Sequence, residues 1–279
     1  MKVLTLFQNP KFKNKKVLST LISHFLWWSK EDVIKNLDID ISETIIKDIE
    51  KAYKEWQNNK KPLEYILWFV KFKWLKFKVN PSVLIPRPET EYMIDEVVEF
   101  LRGYPKQVNL LDIWTGCGVL WISIKKFVPE KIKNLILSDI SDKALEVAKK
   151  NAKEILWEGN DVYFIKSDLL SQIPDKFFQE DFVIVANLPY IPDKVFEENV
   201  EDNVKKWEPS IAFLGWENWL NLYRKLLNQL LNRRKKFIRA FFEIMWWQAD
   251  ILTKLYPLFE FKKKKTFHFN IKIVEVSLK

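Results

Sequence analysis

Four places in the chain join residue types that bind polar ligands to the end of an apolar run. "NLLDIWTGCG" passes from Asp112 into Trp114, Thr115, Gly116, Cys117 and Gly118; "LILSDIS" ends at Asp139; "YFIKSDLL" ends at Asp168 and Leu169; and "VIVANLPYIP" ends at Asn187, Leu188, Pro189 and Tyr190. A glycine-dependent turn that opens a helix presents backbone N–H groups to a nucleotide-like ligand. An acid after the next strand can accept hydrogen bonds from ribose hydroxyls, and the third acid stands beside a candidate adenine pocket. Taken singly, a strand-terminal acid is ordinarily a helix cap or a turn residue. Four in this order point to one site. Trp114 contradicts that pattern, because an indole stands where the turn tolerates least bulk.

The elements that must position these residues alternate. From about residue 85, "QVNLLDI", "VLWISIKKF", "KNLILSDI", "KALEVAKKNAKEI", "DVYFIKSD" and "DFVIVANLPY" read as strand, helix, strand, and two later strands lie in "IRAFFEI" and "FNIKIVEVSL". The pattern predicts an α/β fold with a doubly wound parallel sheet and right-handed crossovers, whose ligands bind beyond the carboxyl ends of the strands. Residues 1–62 carry charged segments of helical period, with Ser29 placed to cap one of them. Lys60, Lys61 and Pro62 punctuate this helical domain, and residues 63–84 are expected to form a β-hairpin linker to a catalytic domain over 85–279.

Composition narrows the function class. The chain has 279 residues, 48% of them hydrophobic, which argues for a packed globular protein. The net charge of +9 fits a lysine-rich solvated surface, and fits a nucleic-acid partner less well because the lysines are scattered. One cysteine excludes an internal disulfide framework, and two histidines without Cys/His spacing argue against a zinc site. With no signal-peptide pattern and no apolar stretch of about 18 residues, a reducing cytoplasm is the expected location.

Two counts are abnormal: 13 Trp and 5 Gly. Glycine ordinarily supplies about 7% of residues, and the two counts together make 18 of 279, close to that share. The expectation is that many tryptophans stand where the natural protein carries glycine, as a UGA codon read as glycine in the source and as tryptophan in this translation would produce. Trp74, in the predicted hairpin turn, is one such place.

"VLIPRPETEYMIDEV" (83–97), "NLPYIP" (187–192) and "EPSIAFLGWENWLNLYRKLL" (208–227) together resemble the peptide chain release factor glutamine methyltransferases, closely over residues 63–250. The resemblance implies a Rossmann-like seven-stranded methyltransferase sheet and S-adenosylmethionine as cofactor. It also implies methyl transfer to the side-chain amide nitrogen of the glutamine in a release factor's Gly-Gly-Gln loop, by a monomer with neither metal nor nucleic acid required. The helical domain would dock the factor. The Asn187 side-chain oxygen and the Leu188 carbonyl would accept the amide's N–H bonds, with Pro189 and Tyr190 shaping the slot. The backbone from Trp114 to Gly118 would wrap the methionine part of the cofactor, Asp139 would bind its ribose and Leu169 would cover its adenine, with Asp112, Asp168 and Asn187 completing the set. Arg87, Glu89 and Glu91 of "IPRPETE" would close over cofactor or glutamine, Arg87 serving equally well as an anchor for the hairpin.

The chain departs from the family in two ways. Trp68, Trp114, Trp216 and Trp219 stand where the family has glycine, and Trp121, Trp246 and Trp247 fall at or beside glycine or small-residue positions, whereas Trp207, where the family favours an aromatic, and Trp56, on a helix, are open to being genuine. Leu188 replaces the family's proline, and "NLPY" is similar to enzymes that methylate the adenine amino group in ribosomal RNA. Three readings therefore stand: the glutamine methyltransferase, an RNA or DNA adenine methyltransferase, and a catalytically impaired relative with Trp114 filling its cofactor pocket.

Overall fold

The computed structural model describes residues 1–156, 161–213, 220–264 and 271–279. It divides into two compact units, Met1–Trp68 and Phe69–Lys279.

The first unit is helical. Its longer helices, Lys15–Phe25 and Glu43–Asn59, bury one apolar stripe each, with Leu18, Leu21, Ile22, Ile49 and Tyr53 in the core. Ser29 starts the short helix Lys30–Lys35 through a capping box with Asp32, and Ser42 accepts from the Ile45 N–H at the start of Glu43–Asn59. Lys15–Phe25 ends in a Schellman motif: Trp27 N–H donates to the His24 carbonyl at 3.3 Å and Trp28 N–H to the Ser23 carbonyl at 3.0 Å. Trp27, at the left-handed position of that motif, has φ 58°. A further helix, Leu63–Leu67, ends at Trp68 with φ 63°.

The second unit begins with the hairpin β1 (Phe69–Phe72) and β2 (Leu75–Lys78), joined by Lys73 and Trp74. Both connecting residues have positive φ, 43° and 69°, as a two-residue type I′ turn demands. The expected hairpin linker over 63–84 is corrected on two counts: its first residues are helical, and its strands belong to the larger unit. Pro62 at the N-cap of Leu63–Leu67 gives the physical reason, since proline preceding a helix starts it without losing a hydrogen bond.

Seven strands follow: β3 (Val108–Ile113), β4 (Ile132–Asp139), β5 (Val162–Lys166), β6 (Phe182–Ala186), β7 (Phe237–Met245), β8 (Phe259–Lys263) and β9 (Ile271–Leu278). They form one sheet in the order β5-β4-β3-β6-β7-β9-β8, parallel except for β9. Every residue of β3 and β6 is buried, as central strands covered on both faces require. The chain runs outward from β3 through β4 to β5 and then returns to β6, so the strand order reverses between β3 and β6. Ligands of open parallel sheets bind in the crevice at such a reversal.

Candidate active site

Strand register brings the functional loops level. Ile113 of β3 pairs with Ala186 of β6, and Ala186 in turn pairs with Phe242 of β7. The next residue along each strand is therefore Trp114, Asn187 and Glu243, three neighbours toward the carboxyl ends of adjacent strands.

The first loop is held from below and from the side. Trp114 N–H and Thr115 N–H both donate to the Ser138 carbonyl, at 2.8 and 3.0 Å, and Gly118 N–H donates to the Thr115 carbonyl at 2.8 Å. Asp139 reaches across to accept from Gly116 N–H on Oδ2 and from Ser141 N–H on Oδ1, both at 2.9 Å, and burial raises its carboxyl above the usual range. Asp112 lies beneath the loop, 1% exposed. Its Oδ2 accepts from Thr115 Oγ1 at 2.8 Å, its Oδ1 is buried without a partner, and desolvation pushes its pKa up to about 7. The Cys117 thiol is buried too, pushed up to about 12 by the same cause, so it is no nucleophile.

The turn itself demands glycine. Residues 114, 116 and 118 have φ of 70°, 56° and 83°, and two of the three are glycine. A Cβ on Gly118 would lie 2.8 Å from Trp121 Nε1. That indole is fully buried and its Nε1 has no hydrogen-bond partner, so Trp121 is crowded as well as unsatisfied. Trp114 lines the cavity together with Thr90, Gly116, Asp139, Ser141 and Asn187 and packs, partly buried, against the sheet's core.

The fourth loop closes the site. Asn187 Nδ2 donates to Glu243 Oε1 at 3.1 Å, and Tyr190 OH donates to the same oxygen at 3.3 Å. Thr90 Oγ1 donates to Glu243 Oε2 at 2.8 Å. Leu188 N–H donates to Tyr223 OH at 3.3 Å, and that hydroxyl donates to the Glu243 carbonyl at 2.6 Å. Leu188 and Pro189 are buried, and of the four residues of "NLPY" Asn187 lines the cavity. Glu243 is 2% exposed and burial pushes its pKa up to about 7.

The geometry can now be set beside known proteins. Residues 94–206 match the family model of the methyltransferase small domain. The chain is 38% identical to the release factor glutamine methyltransferase of Leptospira interrogans over 73% of its own length and 70% of that protein's. It is 32% identical to the enzyme of the same name from Bacillus cereus over 84% and 81%. The chain belongs to the release factor glutamine methyltransferases. Among solved structures, the hMettl16 catalytic domain in complex with MAT2A 3'UTR hairpin 1 superposes with a TM-score of 0.55 at 11% identity, covering 94% of this chain and 92% of that one, a likeness of fold.

For a methyltransferase of this family, several expected site residues sit elsewhere than the cavity. Asp168 forms an ion pair with Lys225. Leu169, at φ 57°, is fully buried and packs in the sheet's core. Glu91 Oε1 accepts from Lys73 N–H at 3.2 Å, so it braces the hairpin turn and does not close over a ligand. Arg87 is an anchor: its Nη2 lies 2.6 Å from Oε1 of the buried Glu208, whose Oε2 accepts from Ile85 N–H at 2.9 Å. Glu89 directly precedes the helix Thr90–Gly103 at its N-cap. Trp216 and Trp219 lie outside the described residues.

Sequence reasoning missed Thr90, Glu208, Tyr223 and Glu243. Glu243 had left a signal, as the one acid within the apolar strand "FFEIM", since carboxylates are almost never fully buried unless paired.

Proposed function

We infer that this chain transfers the methyl group of S-adenosylmethionine to the side-chain amide nitrogen of a release factor's glutamine, in the cytoplasm and as a monomer. The observation that carries the reading is the tethered Asn187 of "NLPY" beside the glycine loop, in a chain whose relatives are named release factor glutamine methyltransferases. No helix among the described residues is long and apolar enough to cross a membrane.

The residues fit the cofactor. Backbone of the 114–118 turn suits its methionine portion, and the carboxyl of Asp139 retains lone pairs for a ribose. When bound, the cofactor supplies an electrophilic sulfonium methyl. An amide nitrogen is a poor nucleophile because its lone pair is delocalised into the carbonyl, so positioning must supply most of the rate. Asn187 Oδ1 and the Leu188 carbonyl accept the two N–H bonds of the glutamine, which concentrates negative potential where positive charge develops on nitrogen. Tyr190 and Pro189 wall the planar amide. No general base is needed, because the nitrogen's proton becomes acidic after alkylation. The helical unit, Met1–Trp68, docks the release factor away from its reacting loop.

Position 114 is where the fit requires glycine. We infer that Trp27, Trp68, Trp74 and Trp114 replace glycines of the natural protein. Four of the seven non-glycine residues at positive φ among the described residues are tryptophans, and they occupy a Schellman motif, a helix end, a type I′ turn and a cofactor loop. Trp74 is 96% and Trp27 85% exposed, so neither indole serves the core. The literal chain then reads as an enzyme impaired at its cofactor loop.

Methyl-labelled cofactor, incubated with intact release factor and with RNA, tests the reading on the literal chain and on Trp114→Gly. Label on the factor's glutamine, strongest with Trp114→Gly, is expected. Label confined to RNA sinks it, and equal tight cofactor binding by both chains removes the case for glycine at 114.

A further inference from the structure

Asn187 has a carboxamide with two unlike ends. The reaction needs the acceptor end, Oδ1, toward the substrate amide, while the donor end, Nδ2, is almost the same size and shape and would repel an N–H. Something must therefore choose between two orientations that sterics do not distinguish. The neighbour that can choose is Glu243, aided by Thr90, whose hydroxyl donates to Glu243 and whose Oγ1 accepts from Asn187 Nδ2 at 3.5 Å. Glu243 Oε1 lies 3.1 Å from Asn187 Nδ2 and 3.3 Å from Tyr190 OH, and its Oε2 takes the Thr90 hydroxyl at 2.8 Å. An ionised carboxylate accepts and cannot donate, so turning the Asn187 amide over would set oxygen against oxygen in a buried site.

We propose that Glu243 is a positioning residue for methyl transfer, holding the Asn187 amide by its nitrogen so that its oxygen faces the substrate, and that the enzyme works with Glu243 ionised. The proposal rests on the functional reading above for its kinetic consequences, but the orientation of Asn187 is a property of the chain alone. The segment that follows β6 is fixed by the same strand a second time: Tyr223 bridges Leu188 N–H and the backbone carbonyl of Glu243. Strand β7 thus sets both acceptors offered to the glutamine.

Protonation of Glu243 would release the lock, because a carboxylic acid can donate to Asn187 Oδ1 and tolerate the reversed amide. The titratable groups facing it are Glu89 at the start of Thr90–Gly103, Tyr190 on the loop after β6 and Tyr223 on the helix Asn221–Leu231. Its partner across the sheet on β9 is Ile273, which brings no charge. Burial and the nearby Glu89 carboxylate both favour the acid form, and the three donors oppose them.

The experiment uses the full chain, with and without Trp114→Gly. Side-chain ¹⁵N amide resonances are followed from pH 5 to 9, with Asn187 assigned by its disappearance in Asn187→Asp. The Asn187 resonance is expected to titrate near neutrality and to become invariant in Glu243→Gln. In kinetics, kcat of Glu243→Gln is expected to fall about 100-fold with KM for the release factor little changed, and the acid limb of the kcat–pH profile is expected to vanish. Asn187→Asp sets two carboxylates together and is inactive, whereas Asn187→Asp with Glu243→Gln restores one donor facing one acceptor and recovers activity about 10-fold over Asn187→Asp. Undiminished kcat in folded Glu243→Gln overturns the proposal, as does an Asn187 resonance left unmoved by Glu243→Gln at every pH; where Glu243→Gln fails to fold, undiminished kcat in folded Asn187→Asp overturns it, because two facing carboxylates would then leave the acceptor in place. Should the resonance titrate while no release factor is methylated by any chain, the functional reading falls and the positioning role stands.

Discussion

Two carboxyls lie sealed beneath the reaction site, and their protonation links the site to stability. Asp112 moves from 3.8 to about 7 and Glu243 from 4.5 to about 7, in both cases chiefly through desolvation. A carboxyl raised in the folded state contributes stability that is fully present below its unfolded pKa and lost as pH rises through its folded value. Asp112→Asn keeps an acceptor for Thr115 and cannot ionise. Its stability relative to the unsubstituted chain is therefore expected to improve from about pH 4 to about pH 7 and stay level above, as urea unfolding across that range would show. A difference that shrinks over the same window contradicts a buried, raised Asp112. At this scale the sequence was readable where residue type and position coincide: Asp112, Asp139 and Asn187 stand at the ends of their strands. Asp168 and Leu169 occupy an equivalent position in sequence, yet a one-residue change in side-chain direction sends one to Lys225 and the other into the core. Sequence order carries no record of that.

Among elements, the segment 83–89 is held by long-range contacts. Glu208 takes Ile85 N–H and the Arg87 guanidinium, 123 and 121 residues away in sequence. That separation is why "IPRPETE" reads as a motif while its clamp stays hidden. Glu208→Ala strands the Ile85 N–H and unpairs Arg87. Since Arg87 is about a third exposed, water recovers part of the loss, and a destabilisation of about 2 kcal/mol is expected in urea. Because Thr90 follows on the same segment and donates to Glu243, the KM for cofactor is also expected to rise several-fold. Unchanged stability and KM in Glu208→Ala contradict the clamp. The parallel strands β3 to β6 were legible from their apolar runs, and β7 and β9 likewise. β8 was not: "FEFKK" is short and lysine-bearing, as edge strands are when they resist pairing with other chains. The helix Leu63–Leu67 was mistaken for strand because five residues are too few to display a helical period.

Across the whole molecule, backbone conformation and composition make the same claim by separate routes. The shortage of glycine is a count, and the left-handed tryptophans are a geometry; neither was needed to infer the other. A side chain at positive φ costs roughly 1–2 kcal/mol relative to glycine, reduced by the greater unfolded-state freedom of glycine to about 1 kcal/mol net. Trp27, Trp68 and Trp74 lie at three different turns, so their replacements should add. The triple replacement by glycine is therefore expected to stabilise the chain by about 3 kcal/mol, seen as a higher urea midpoint at unchanged slope. Trp114→Gly should behave differently. It relieves the same backbone cost and also clears the cavity, so its gain should grow with cofactor, reaching about 2.7 kcal/mol more when cofactor stands at 100 times its Kd. Trp27, Trp68 and Trp74 do not line the cavity, so their replacements have no reason to respond to cofactor. Measuring unfolding of the two sets with and without cofactor separates a general glycine deficit from a blocked binding loop. Equal cofactor response in both sets would remove position 114 from the site, and destabilisation by the triple replacement would show the tryptophans to be native.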